Sequence, residues 1–249
     1  MQKISCVICA YNEASRIRTI LSAVIDHPLL AEVIVVNDGS TDETHNLLAS
    51  YGDKLKLISY PQNKGKTHAL TLGIGAATGD LLMLLDADLI GVTPANITAL
   101  AEPVLTGKSD VSMSMRTNSL WVYRTVGIDF VSGERVFPRA LIADKIPHML
   151  RLPRFGCESF INRQIMNEQL TLTVVRWDNV FNVRMYEKIG WRRGFQAEAG
   201  MVIDVFTVLS PFEIIAQYLY LLSHMQTTAP TWHTNLLCRF ASAVSRDNS

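Results

Sequence analysis

Asp86 and Asp88 stand two residues apart, directly after the apolar run Leu81-Leu82-Met83-Leu84-Leu85. Two adjacent carboxylates repel unless something positive joins them. A divalent cation bridging the phosphates of a nucleotide would do so, because hard cations take oxygen ligands. The competing reading is a solvated turn, since aspartate is common where strands end. What separates the two readings is what else reaches the same place. The run 81–85 is apolar on both faces, which predicts a strand buried in a parallel sheet. The acids then fall at the strand's carboxyl end, where open α/β sheets bind ligands.

Two earlier strands are expected to end in the same way. Lys3–Cys9 reads as the first strand and runs into Ala10-Tyr11-Asn12-Glu13. Glu32–Val36 reads as the second and runs into Asn37-Asp38-Gly39-Ser40-Thr41-Asp42, a cluster of turn and cap residues. Between them Ile17, Ile20, Leu21, Val24 and Ile25 recur at helical spacing, predicting a helix from Ala14 to about His27. Helices at 43–50, 67–77 and 93–105 and strands at 55–59 and 110–115 continue the alternation. Such alternation with short links predicts an α/β fold, a doubly wound, mostly parallel sheet flanked by helices. Beyond residue 116 the pattern is irregular. Helices are expected at 120–130, 139–145, 156–169 and 211–225, and a strand at 170–175. Ser132-Gly133-Glu134-Arg135 reads as a polar break, and 176–200 as loop and helix over the site.

The 249 residues are 48% apolar and 18% charged, enough to bury a sizeable core. Twenty-three basic residues match 23 acidic ones, which does not suit a nucleic-acid binder. The chain enters a strand pattern at once, so no signal peptide is expected, and no apolar run is long enough for a transmembrane helix. Cysteines 6, 9, 157 and 238 suggest no disulfide framework, and a cytoplasmic setting is expected. Cys6-x-x-Cys9 lies within a strand, where residues three apart face opposite ways, so it reads as packing. Gly65-Lys66-Thr67 ends like a P-loop but lacks its upstream glycine, since position 60 is Tyr. Lys64 or Lys66 can still reach a phosphate. Gly73 and Gly75 read as close helix packing, and the six histidines show no ligand spacing.

Five segments taken together are more specific than any one. Val7-Ile8-Cys9-Ala10-Tyr11-Asn12-Glu13, Val35-Val36-Asn37-Asp38-Gly39-Ser40-Thr41-Asp42, Asn63-Lys64-Gly65, Ala76-Ala77-Thr78-Gly79-Asp80 and Leu85-Asp86-Ala87-Asp88 resemble, in order and spacing, the family 2 glycosyltransferases of the GT-A fold. Ser132-Gly133 with Arg139, and Phe155-Gly156-Cys157-Glu158 leading to Leu172-Thr173-Val174-Val175, are similar to the polyprenyl-phosphate (dolichyl-phosphate) sugar transferase branch. Cys157 stands where that branch usually has Phe, and this chain lacks the membrane helices many members carry.

The resemblance implies an inverting, metal-dependent transfer of a hexose from a UDP- or GDP-sugar to a polyprenyl phosphate or a glycan hydroxyl. It implies a nucleotide-sugar-binding half at 1–115 and an acceptor-binding half at 116–240, while the polar composition of 241–249 reads as a loose tail. Ala10 and Tyr11 would line the base pocket, Glu13 would accept from the ribose, and Asp38 from a ring N–H of the base. Asp86 would contact ribose or sugar and share with Asp88 the holding of Mg²⁺ or Mn²⁺, with Ala87 between them. Lys64 would add a point charge to the phosphates. Glu158, then Glu134, is the expected catalytic base. Arg135, Arg139, Arg154 and Arg163 would clamp an anionic acceptor. Trp191-Arg192-Arg193-Gly194-Phe195 suits a diphosphate, a membrane surface or plain packing. The stripe Phe212, Ile215, Tyr218, Leu219, Leu222 and Met225 reads first as core, with a homodimer or peripheral membrane contact as the other readings. Two alternatives remain at this stage. A sugar-1-phosphate nucleotidyltransferase would need a basic Gly-rich loop where Ala10–Glu13 stands. A catalytically inactive nucleotide-sugar-binding module would keep the same acids.

Overall fold

The computed structural model describes residues 2–119, 121–153, 156–183 and 210–226. Arg154, the segment 191–195 and the tail from 241 lie outside the described residues. The central sheet has seven strands: β1 (Ile4–Ala10), β2 (Leu30–Asp38), β3 (Lys56–Tyr60), β4 (Leu81–Asp86), β6 (Val111–Arg116), β7 (Arg135–Pro138) and β8 (Leu172–Trp177). Their order is β3-β2-β1-β4-β7-β6-β8, and β7 alone runs antiparallel to its neighbours. A two-residue strand β5 (Leu89–Ile90) pairs with β9 (Phe181–Asn182) in a separate ribbon.

Alternation along β1 builds the two layers. Ile4, Cys6 and Ile8 pack on one face with α1 (Ile17–Val24) and α4 (Pro94–Leu105). Val7 packs on the other with α3 (Lys66–Ala76) and α7 (Cys157–Asn167). Cys6 and Cys9 fall on opposite faces, as their spacing requires. A Cβ on Gly73 would meet Val7 Cγ1 at 2.4 Å, so this glycine lets α3 lie against the sheet. At Gly75 the nearest atom would be 3.9 Å away, an ordinary contact.

Three expectations change. The polar break at 132–135 is buried and leads into β7, which slots between β4 and β6. Four residues with charged flanks carry too little periodicity to announce a strand. The stripe on α8 (Pro211–Ser223) is also divided. Leu222 and the partly buried Tyr218 face the core, whereas Phe212, Ile215 and Leu219 are exposed. The expected helix at 139–145 is two short 3₁₀ turns, 139–141 and 143–145. Among the described residues, no helix is long and apolar enough to cross a membrane.

Candidate active site

The turns after β1 and β2 are tied into one rim. Asn12, at φ 55°, donates its backbone N–H to Ser40 Oγ (3.0 Å) and accepts at Oδ1 from Thr41 N–H (2.8 Å). Asp42 accepts from the backbone N–H of Ala14 (3.2 Å) and Thr44 (3.0 Å). Burial opposes the Asp42 charge, but these bonds and that from the Thr44 hydroxyl hold its pKa below the usual carboxylate value. Glu13 is nearly buried, with Oε2 2.6 Å from Arg16 Nε, while its backbone N–H donates to Thr44 Oγ1 (2.9 Å). Ala10 is buried and Tyr11 is exposed at the rim.

Asp38 closes the next loop. Its Oδ1 accepts from Tyr60 OH (2.8 Å) and Lys64 N–H (2.7 Å), and its Oδ2 from Asn63 Nδ2 (3.0 Å) and Gly65 N–H (2.9 Å). Four donors fill the lone pairs of one carboxylate. In this structure Asp38 therefore fixes the Asn63-Lys64-Gly65 loop, and a base N–H would have to displace one of these donors. Gly39, at φ 68°, lies so close that a Cβ would meet Asn63 N at 2.5 Å. Lys64 itself is exposed, stacked 5.6 Å over the Tyr60 ring.

Lys66, the first residue of α3, reaches the acids instead. Its Nζ lies 2.8 Å from Asp86 Oδ1 and 2.8 Å from Glu158 Oε1. Burial disfavours the ammonium, but Asp86 and Glu158 outweigh it and hold its pKa well above the ordinary value. Glu158 is brought there by an exchange between helices. Thr67 Oγ1 accepts from the N–H of Gly156 (3.1 Å) and Cys157 (3.2 Å), capping α7 from α3. The first turns of both helices thus sit together, and with them Lys66 and Glu158.

On the other side of Asp86 stands Arg116, the last residue of β6. Its Nη1 lies 3.6 Å from Asp86 Oδ2 and 2.8 Å from Glu134 Oε1, and its Nη2 lies 3.8 Å from Asp129 Oδ2. Glu134 also accepts from Ser114 Oγ (2.7 Å) and Ser132 Oγ (2.8 Å). Burial pushes the Glu134 pKa up despite the Arg116 charge. Gly133 supports Asp86 from below, since a Cβ there would meet Asp86 Oδ1 at 2.7 Å. The carboxyl ends of β4 and β6 thus present an alternating row of charges: Glu158, Lys66, Asp86, Arg116, Glu134.

Several expected roles are corrected by this geometry. Glu134 has no exposed surface and is spent on Arg116 and two serines, so it cannot reach a substrate as a base. Arg135 is equally buried. It donates to Asn162 Oδ1 (3.0 Å) and to the backbone oxygen of Ser132, so it braces α7 and cannot clamp an acceptor. Arg139 lies at the wrong end of the sheet. Leu81 pairs with Pro138, and Arg139 Nε donates to Gly79 O (2.9 Å). That is the amino end of β4, a strand length of about 17 Å from Asp86. Arg163 forms an ion pair with Glu213 of α8 (2.7 Å), joining two helices. Of the two lysines expected near a phosphate it is Lys66 that reaches the acids, and Arg116 is the site cation missing from the expected set. For Arg116 a signal existed: a charged residue closing the expected strand 110–115, as Asp86 closes 81–85.

The sheet order with one reversed strand, and acids at its carboxyl edge, define a GT-A-type nucleotide-sugar fold. The chain belongs to Glycosyl transferase family 2, whose profile matches residues 5–138. It is 28% identical over 223 residues to the glucosyl-3-phosphoglycerate synthase of Mycobacterium tuberculosis (strain ATCC 25618 / H37Rv), covering 86% of this chain and 64% of the synthase. It is 29% identical over 154 residues to a dolichyl-phosphate beta-glucosyltransferase of Trichomonas vaginalis, covering 56% of this chain and 45% of that protein. The chain thus spans less than two thirds of either relative. Its fold matches the M. tuberculosis synthase crystallised with Mn²⁺, uridine-diphosphate and phosphoglyceric acid, at a TM-score of 0.66 and 22% identity over 91% of this chain and 80% of that one. The same synthase crystallised with Mg²⁺ and uridine-diphosphate matches at 0.66 and 21% identity, over 91% and 81%.

Proposed function

We propose that this protein transfers a hexose from a nucleotide-diphosphate sugar to an acceptor, with inversion at the anomeric carbon. One observation carries the reading. Asp86 ends β4 beside Lys66 and Arg116, and the turn holding Asp88 follows it at the edge where the β1 and β2 turns form a rim. Tyr11, Ala10 and Glu13 on that rim would receive base and ribose. The M. tuberculosis synthase, crystallised with uridine-diphosphate, supports UDP as the nucleotide.

The acids suit a hard cation in one particular way. Among the described residues, no three His, Cys, Asp or Glu side chains stand close enough to cage a metal. Two carboxylates that leave the remaining positions to phosphate oxygens and water are what Mg²⁺ or Mn²⁺ takes on a diphosphate. Asp88, with Asp86, would hold it, and the bound ion would neutralise the charge gathering on the leaving diphosphate. Lys66 would add a fixed ammonium on the same oxygens. The acceptor oxygen attacks the anomeric carbon from the face opposite the diphosphate, and the breaking C–O pair leaves with the diphosphate. A hydroxyl acceptor gives its proton to a carboxylate, for which Glu158 is the candidate. An acceptor phosphate is already ionised and needs none. The three free cysteines of the described residues, two of them fully buried, suit a reducing cytoplasm.

Purified protein should bind UDP in the presence of Mn²⁺, and Asp88→Ala should abolish the metal dependence of binding and turnover. An Asp88→Ala protein with unchanged metal-dependent turnover would overturn the metal role. Thermal-shift screening of UDP- and GDP-sugars would rank the donors, since a ligand that binds only the native state raises its melting temperature.

A further inference from the structure

Beyond Arg116 lies a second space that the donor reading leaves unused. It is a cavity of about 460 Å³ at the carboxyl ends of β6 and β8, lined by Arg116, Thr117, Arg124, Thr125, Arg176 and Asp178 among others. This size is ordinary for a small-ligand site. Its charge is lopsided, with three guanidinium groups against one carboxylate. Arg116 is already matched by Glu134, Asp86 and Asp129. Arg124 and Arg176 are not. Both are exposed, and among the described residues neither has a hydrogen-bond or ion-pair partner.

The two come from separate elements. Arg124 is on α5 (Trp121–Val126) and Arg176 is near the end of β8. Like charges converging on one cavity repel, and an anion between them turns that repulsion into binding. Guanidinium groups hold phosphate with paired, charge-assisted hydrogen bonds. Arg116 is the shared wall, because it lines this cavity and also stands 3.6 Å from Asp86. A ligand held here would lie one side chain away from the acid at the donor site, where a nucleophile must be for transfer.

We propose that this cavity is the acceptor subsite and that the acceptor carries a phosphate, gripped by Arg124 and Arg176. The proposal rests on the sugar-transfer reading and assigns its acceptor a chemical class. The phosphate belongs either to a water-soluble phosphate ester or to a lipid headgroup, and the cavity's chemistry is common to both.

Calorimetric titration of the full chain separates the outcomes. Glycerol 3-phosphate and a short-chain polyprenyl phosphate in detergent micelles are the two probes, and UDP with Mn²⁺ is titrated in parallel. At least one phosphate probe should bind. Arg124→Gln and Arg176→Gln should each raise its Kd about tenfold, and the double variant should abolish binding. UDP affinity should stay within about twofold, showing that the fold and donor site survive. Binding of the glycerol ester alone indicates a soluble acceptor, and of the polyprenyl ester alone a headgroup. Failure of both probes to bind the wild type, or equal binding by the double variant, would overturn the subsite. Loss of UDP binding by the wild type, with arginine-dependent phosphate binding intact, would sink the donor reading and leave the anion site standing.

Discussion

Lys66 Nζ lies 2.8 Å from Asp86 Oδ1, so the chain sets its own cation against the acid that ends β4. The same ammonium lies 2.8 Å from Glu158, so one side chain holds two carboxylates apart and in place. Lys66→Met takes the ammonium from both acids and leaves Asp86 with the Arg116 guanidinium, 3.6 Å away. Removing one partner of a fully buried pair costs about 3–5 kcal/mol. Lys66 and Asp86 keep 23% and 18% exposure, so we expect about 1–3 kcal/mol by urea unfolding, solvent screening the rest. UDP–Mn²⁺ affinity should fall about tenfold. The sign of the pH dependence follows from the raised Lys66 pKa. Its contribution is complete below the ordinary lysine value of 10.5 and is lost only as pH climbs through the higher folded value. The wild-type-minus-Met stability difference should therefore be flat from about pH 6 to 9. A difference that titrates near neutrality would contradict the pairing.

Gly133 is predicted to be intolerant of a single methyl group. The Cβ of Gly133→Ala would press on both Asp86 oxygens, at 2.7 and 2.9 Å. Asp86 must then turn away from Lys66 or Arg116. UDP–Mn²⁺ binding should weaken about tenfold, and Gly133→Ala should add little to the loss already caused by Asp86→Ala, because both act through one carboxylate. Fully additive losses would place the effect elsewhere.

Asp38→Asn should unfold the rim more than it alters any chemistry. Asparagine keeps one acceptor oxygen and turns an NH₂ toward donors that need an acceptor. Hydrogen bonds to a charged group contribute about 1.5–3 kcal/mol each, and a buried group left unsatisfied costs about 1–3. We expect about 2–4 kcal/mol of lost stability for Asp38→Asn, and less for Tyr60→Phe, which removes one donor. Burial and the bond to Asp38 also push the Tyr60 phenol well above its usual pKa. Its absorbance should stay that of the neutral phenol through pH 10 in the wild type.

The amino end of the sheet carries an acid-sensitive tie. Glu32 Oε1 accepts from Ser5 Oγ (2.6 Å), Thr78 N–H (2.7 Å) and Thr78 Oγ1 (2.7 Å). Partial burial works against the charge, but these bonds outweigh it and lower the pKa. A depressed carboxylate stabilises the fold above its unfolded value of 4.5 and loses that contribution as pH falls through the lower folded one. The melting temperature of Glu32→Gln should lie below wild type at pH 7 and converge on it as pH drops toward about 2–3. A constant offset across that window would remove the carboxylate's role.

Much of this was written locally. The fourth strand's double-sided apolar run put Asp86 and Asp88 at a carboxyl edge, and the turn residues after the first two strands put Glu13 and Asp38 beside them. Period and turn chemistry are properties of adjacent residues, so they read directly. The arginines could not be read in this way. Arg135, Arg139, Arg154 and Arg163 were as plausible as Arg116, Arg124 and Arg176, because an arginine's partner is chosen by what the fold brings near it.

The sequence by itself determined the α/β alternation and the acid pair at the carboxyl edge of the sheet, since each depends on neighbours in the chain. Only the tertiary structure decided which cations serve those acids. It reversed β7 between β4 and β6, which buried Glu134 and Arg135 and sent Arg139 to the far end. It capped α7 with Thr67 from α3, which joined Lys66 to Glu158 across more than 90 residues. The physical reason is the same in both cases. Burial and long-range pairing fix a charge by its surroundings, and those surroundings exist only once distant strands and helices have packed.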